Sequence, residues 1–388
     1  MTINAKMRIL LTVFFVRSLN VEGGERTLHS LAKAYSKLGI KVTVVAPLTA
    51  SKHLPYKVIN YLKGTKRGLL NNIKAYIATL RRLAPSHDVV QMIEISPATS
   101  FFSRIAAETN PNTYVIFGTP LSSSANFVRQ LGKMNIQYLK HFIGKNYFVA
   151  RLWRYPCRKY IVSTEFQSKQ LLHLGIPEEK IEVIPYGVLG EEFRPYSKAM
   201  AKSEFGLTGR QAISYIGHFH HIKGVPALVR AFGMMARAHP KAVLAIAWSG
   251  KGTESTRVLR MIRDAGIKTR IFLYGNVDVR KFLAASDMMV LPYTYLSLPH
   301  FPLVMIESFA MGVPVITTDV GGMSEMVRNR QTGLLVGPGS AKKLAEAMEL
   351  LLANKTLRER ISMNELKEFS LKYDSDVAAK KYLKLFKQ

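Results

Sequence analysis

Acidic side chains are scarce. The 388 residues carry 26 Asp plus Glu against 55 Lys plus Arg, a formal charge of +29. The scarcity is uneven. No acid stands between Arg26 and His87, where twelve Lys or Arg occur, and none between Thr109 and Thr164, where there are eight. Such a balance implies acidic partners such as nucleotide sugars, anionic lipid or nucleic acid, and it speaks to association, not to fold. Cysteine is nearly absent: the single Cys157 excludes an intramolecular disulfide, and with no His and Cys partners clustered around it, it offers no metal site. Long apolar runs are missing as well. None reaches the roughly 18 residues that span a bilayer, which argues against an integral membrane protein. The N-terminal MTINAKMRILLTVFFVRS holds a short apolar run without a small-residue cleavage site, and it reads as the first strand of a mature, cytoplasmic protein.

The chain is long enough for two domains, since single cores stop growing near roughly 250–300 residues. Its pattern alternates strands and helices. A strand from Arg8 to Val16 leads through NVEGGER to a helix with Leu28, Leu31, Ala32, Tyr35 and Leu38 on one face, then to the strand KVTVVA. Gly23 and Gly24 let backbone approach a ligand at that helix start. A second amphipathic helix is expected over Arg67–Arg82, followed by strands at VVQMI, PNTYVIFGTP and YIVS, a helix capped by Thr164, and the strand in EKIEVIPYGV. Residues 186–209 read as an irregular linker. From AISYIG onward the alternation resumes, which predicts a second parallel sheet covered on both faces.

The richest stretch is FPLVMIESFAMGVPVITTDVGGMSE, Phe301 to Glu325. Pro302 suits the first position of a helix, Gly312 and Pro314 end it, and VPVITT reads as a buried parallel strand. The N–H groups of Leu303 and Val304 at the helix start form a phosphate site aided by the helix dipole. Glu307, one turn further in, is placed to accept hydrogen bonds from sugar hydroxyls.

In spacing this stretch resembles the nucleotide-binding signature of the family 4 retaining glycosyltransferases, and the resemblance extends over nearly the whole chain. It implies an α/β protein of GT-B fold, two Rossmann-like, doubly wound parallel-sheet domains facing each other across a cleft. The domains would span 1–188 on the acceptor side and 189–366 for the nucleotide sugar, with a helix over 367–388 crossing back. The resemblance makes Glu307 the ribose ligand, and Phe301, Pro302, Leu303 and Val304 part of the donor site. It places Gly23, Gly24 and Glu25 at the border where donor diphosphate and acceptor meet, and the nucleobase near Gly275 and Asn276. The loop GHFHHIKG matches the family's diphosphate loop from Gly217, with Lys223 in place and His218 where arginine is usual. Three further positions depart from the pattern: Phe117 stands where a histidine is common, Tyr186 for an asparagine, and Pro299 for the first glutamate of the signature.

These features imply a transferase that moves a sugar, with retention, from a nucleoside diphosphate sugar to a lipid-linked or glycan acceptor. Lys223 and His218 would stabilise the departing diphosphate, and neither metal nor cofactor is expected. A GT-B sugar-nucleotide epimerase and a non-catalytic nucleotide-sugar-binding protein are the alternatives. The basic residues follow no nucleic-acid module, so nucleic acid is not an expected partner. Between Arg129 and Tyr160, cations alternate with aromatics. Arg151, Trp153, Arg154 and Arg158 in this run suit an anionic membrane surface or the acceptor side, consistent with a peripheral protein on the inner face of the cell membrane.

Overall fold

The computed structural model describes residues 7–14, 23–47, 54–63, 68–94, 100–117, 157–173, 175–193, 196–248, 250, 252, 254–294 and 302–388. The chain forms two compact units, one comprising Met1–Leu189 with Asp374–Gln388, the other Gly190–Tyr373.

The first unit is built on seven parallel strands, β1 (Arg8–Val13), β2 (Lys41–Val45), β3 (Lys57–Ile59), β4 (Val89–Glu94), β5 (Thr113–Phe117), β6 (Lys159–Val162) and β7 (Ile181–Val183). Their order in the sheet is β3-β2-β1-β4-β5-β6-β7. β1 stops at Val13, short of the expected Val16. Successive apolar residues such as Ile9, Leu10 and Leu11 of β1 and Val89 and Val90 of β4 place apolar side chains on both faces, which helices cover. On one face Ile9, Leu11 and Val13 pack against Leu28, Leu31 and Tyr35 of helix α1 (Gly23–Lys37). On the other, Leu10, Val90 and Met92 pack against Tyr76 and Leu80 of α2 (Leu69–Leu83) and Phe102 of α3 (Ser100–Thr109). Helix α4 (Glu165–His173) starts where Thr164 Oγ1 accepts from the Gln167 N–H at 3.1 Å, which caps an orphan donor of the first turn.

The second unit holds six parallel strands, β8 (Gln211–Ile216), β9 (Ala242–Ala247), β10 (Ile271–Tyr274), β11 (Met288–Leu291), β12 (Val315–Thr318) and β13 (Leu334–Val336), in the order β10-β9-β8-β11-β12-β13. Renumbered from β8, that is the doubly wound 3-2-1-4-5-6 order, whose direction of winding reverses between β8 and β11. The stretch expected to be an irregular linker contributes helix α5 (Lys198–Glu204), capped by Ser197. It packs with α8 (Val279–Ala285) on the face lined by Val243, Ala245 and Ala247. The opposite face of β9, Leu244 and Ile246, meets α6 (Val225–Met235) and α11 (Ala341–Ala353). Between these lie α7 (Ser255–Asp264), α9 (Leu303–Ala310) and the short α10 (Met323–Met326).

Helix α12 (Lys355–Glu368) and a π turn, Phe369–Tyr373, close the second unit, and α13 (Ser375–Phe386) returns to the first. There Ala378, Tyr382 and Phe386 join the core beside Tyr35. The amide of Ser375 bonds the Val188 carbonyl at 3.0 Å.

Candidate functional site

The residues singled out in the second unit gather where its parallel strands end. β8 ends at Ile216, and Gly217 follows with φ 150°, a conformation that favours glycine. A Cβ there would stand 2.9 Å from the hydroxyl of Tyr215, which passes beneath Gly217 to donate to the His218 carbonyl at 3.0 Å. Burial raises the Tyr215 pKa well above 10, with Tyr293 adding to the effect, so the phenol stays protonated and donates.

The next residues alternate. His218 is exposed, Phe219 is fully buried and stacked on Trp248 at 4.4 Å between ring centroids, and His220 and His221 are half-buried with rings 4.2 Å apart. The Phe219 carbonyl accepts from the Glu254 N–H at 2.8 Å, which anchors the loop to the start of α7. A single turn, His221–Lys223, is closed by the Lys223 N–H on the His220 carbonyl at 2.8 Å. Burial lowers the pKa of His220, helped by His221 and Lys223, and burial also lowers that of His221; Glu254 opposes both shifts. These two imidazoles are therefore neutral at pH 7, and Lys223 carries the positive charge of this turn.

Lys223 Nζ donates to the Tyr293 hydroxyl at 2.9 Å and lies 4.4 Å from the centre of the same ring. Tyr293 follows β11, is 2% exposed, and is held in turn by Thr318 Oγ1, which donates to its carbonyl at 2.6 Å. Thr294 N–H reaches the Ile222 carbonyl at 3.0 Å. The loop after β8, the end of β11 and the end of β12 are thereby bonded into one assembly at the carboxyl edge of the sheet, beside the switch point.

Helix α9 starts at this edge, because it runs from the end of β11 back to the start of β12. Pro302 is its N-cap, with an extended ψ of 149°, and Leu303 is the first helical residue, one position later than the spacing predicted. Helix geometry leaves the N–H groups of Leu303 and Val304 without an acceptor inside the helix, while the Met305 N–H already bonds the Pro302 carbonyl at 3.0 Å. Glu307 is 1% exposed in a helix whose neighbours Val304, Met305, Ile306 and Phe309 are buried and apolar. It does not lie on a solvated face. Gly275 and Asn276 are exposed just beyond β10, next to β9 in the sheet, and a Cβ on Gly275 would meet nothing within 4 Å.

Other expected site residues lie elsewhere. Gly23 and Gly24 open α1 in the first unit, in the helix itself and not in a turn before it. The side chain of Glu25 lies outside the described residues, as do Phe301, Pro299, Arg151, Trp153 and Arg154. Arg158 is exposed and committed to a neighbour, donating to Asn112 Oδ1 at 2.6 Å. Phe117 is a fully buried core residue of β5 packed with Tyr160 and Leu171.

Among the described residues, no group of three or more His, Cys, Asp or Glu could hold a metal ion. The one Asp-x-Asp triplet, Asp374-Ser375-Asp376, serves the fold. Asp374 caps α13 by accepting from the Asp376 N–H at 2.9 Å, and Asp376 pairs with Lys37 at 3.5 Å.

Comparison with known proteins places this arrangement. The family profile described as Glycosyl transferases group 1 matches residues 198–368, and that described as Glycosyltransferase Family 4 matches residues 21–189. A D-inositol 3-phosphate glycosyltransferase of Nocardia farcinica is 31% identical over 231 residues, covering 57% of this chain and 49% of that protein. The chain spans about half the length of the curated relatives it matches. In fold it is similar to sucrose-phosphate synthase of Thermosynechococcus elongatus (TM-score 0.81, 18% identity, 99% of each chain). It is likewise similar to Anabaena Alr3699/HepE solved with UDP (TM-score 0.76, 18% identity, 98% of this chain and 100% of that one). With one profile on each unit and the GT-B architecture in both sheets, the chain belongs to the family 4 glycosyltransferases of GT-B fold.

Proposed function

We propose that the protein is a retaining glycosyltransferase that moves a sugar from a nucleoside diphosphate sugar to a lipid-linked or glycan acceptor. The observation that carries this reading is the fixed ammonium of Lys223 at the strand-end edge where α9 presents its free first-turn N–H groups. In such a transfer the bond from the anomeric carbon to the diphosphate breaks and its electron pair leaves with the phosphate. The acceptor oxygen bonds the same carbon and passes its proton to the departing diphosphate oxygen. The developing negative charge is what the site must stabilise, and a cation and backbone dipoles already in position do so without reorganising. Lys223, with His218 beside it in the same loop, faces that charge. Glu307 takes the ribose hydroxyls, and Gly275 and Asn276 border the base. UDP sugars are the first donors to examine, since structural neighbours were solved with UDP and UDP-glucose.

An acceptor at an anionic membrane surface is supported by the character of α2. Lys74, Arg81 and Arg82 are exposed along it, Leu70 is 73% exposed near its start, and the helix has no acid. The attachment proposed is peripheral, on the inner face; no helix among the described residues is long and apolar enough to cross a membrane. The test is incubation with a panel of nucleotide sugars and lipid extracts, following release of nucleoside diphosphate and the anomeric configuration of the product. Diphosphate release coupled to an α-linked product from an α-linked donor supports the reading. Isomerised nucleotide sugar without acceptor dependence would make the protein an epimerase, and tight binding with no turnover would make it a binding protein.

A further inference from the structure

Tyr293 is not part of the sequence signature, yet the donor loop is built against it. It contributes two contacts to one ammonium, a 2.9 Å hydrogen bond to its hydroxyl and a ring face 4.4 Å from Nζ. Its own freedom is small. It is 2% exposed, its N–H bonds the Leu291 carbonyl at 3.0 Å, and its carbonyl receives Thr318 Oγ1 at 2.6 Å. The residue after it, Thr294, bonds the carbonyl of Ile222, the residue before Lys223. Backbone and side chain thus fix Lys223 to the end of β11 by separate bonds, and both reach across the point where the strand order reverses.

We propose that Tyr293 is the positioning residue of the donor site, holding the Lys223 ammonium where the diphosphate arrives. This rests on the nucleotide-sugar reading. A lysine ammonium is a point charge on a four-carbon stem with many rotamers, so its value to an arriving phosphate depends on where it is held beforehand. A ring face attracts the ammonium and the phenol oxygen accepts a hydrogen bond from one of its three N–H groups, leaving two to donate to phosphate oxygens. A phenylalanine would fill the same buried space and keep the ring face. The hydroxyl is therefore the part of Tyr293 that packing does not require.

The test is a double-mutant cycle on UDP and GDP affinity by calorimetry, with wild type, Tyr293→Phe, Lys223→Ala and the double variant, and melting temperature as the check on fold. The expected result is that Tyr293→Phe weakens nucleotide binding by about fivefold to tenfold in the wild-type background and has no effect once Lys223 is alanine. Lys223→Arg reads the same contact with Tyr293 intact. It keeps the charge and displaces it from the tyrosine oxygen, so it too should bind about fivefold to tenfold more weakly. Equal losses from Tyr293→Phe in both backgrounds, or wild-type affinity in Tyr293→Phe or in Lys223→Arg, would overturn the assignment. Wild-type protein that binds neither nucleotide would instead overturn the nucleotide-sugar reading beneath it.

Discussion

Gly224 and Pro292 are in such close approach that a Cβ on Gly224 would stand 1.7 Å from the Pro292 carbonyl oxygen. Gly224 has φ 67°, in the left-handed region, and it ends the turn that carries Lys223 and caps helix α6. Sterics and backbone strain therefore point the same way. Gly224→Ala should destabilise the second unit by more than about 1 kcal/mol, and should weaken nucleotide binding by displacing the loop from β11. Melting curves and calorimetry check this, and an alanine variant with unchanged melting and affinity would show that the approach is not required.

Lys223→Ala removes a preorganised donor to the leaving diphosphate. Turnover should fall by on the order of a hundredfold or more. Steady-state kinetics with the best donor measure it, and unchanged turnover would take Lys223 out of the mechanism.

By resemblance to the family's diphosphate loop, His218 stands where arginine is usual. If it helps to stabilise the departing diphosphate, His218→Ala should lower turnover and His218→Arg should restore it. Equal turnover in wild type and in both variants would leave His218 with no part in charge stabilisation.

Glu307→Gln changes one acceptor oxygen into a donor amide. If Glu307 accepts both ribose hydroxyls, nucleoside diphosphate and donor should lose affinity together, by about tenfold. Calorimetry with each ligand separates this from an effect on the sugar alone.

The fold, and the elements that carry the candidate residues, are legible in the sequence. Lys223, Leu303, Val304 and Glu307 sit at fixed offsets from glycine and proline, and those offsets are local. Tyr293 was not legible, because its role comes from pairing β8 with β11, and nothing near it in sequence marks the lysine seventy residues away. Pro302 was displaced by one position because an N-cap and a first helical residue both tolerate a missing N–H. The linker reading of residues 186–209 failed where Ser197, capping α5 through the Met200 N–H, nucleates a helix of only seven residues. The aromatic and basic run before Tyr160 lies almost wholly outside the described residues.

Glu365 shows the same limit. It lies on α12, whose sequence KTLRERISMNELKE is rich in charged side chains, yet it is fully buried. Its Oε1 accepts from the Val315 N–H at 2.9 Å and its Oε2 has no hydrogen-bond partner. Burial pushes its pKa well above the usual carboxylate range, against the pull of the Val315 amide. A raised folded-state pKa means stability that is complete below the unfolded value and is lost as pH rises through the folded one. Glu365→Gln keeps the acceptor and abolishes the titration, so its melting advantage over wild type should grow from pH 5 to pH 9. A difference independent of pH would mean that Glu365 ionises in the folded protein as it does in the unfolded chain, so that its pKa is not raised.

The most direct measurement is a thermal-shift series with UDP, GDP, ADP and dTDP on wild type and Lys223→Ala. A ligand present at a hundred times its dissociation constant stabilises the folded protein by about 2.7 kcal/mol. A nucleoside diphosphate site at the carboxyl edge of the second sheet predicts a raised melting temperature with at least one of the four, and a smaller rise when Lys223 is alanine. Melting curves that none of the four nucleotides moves would contradict it.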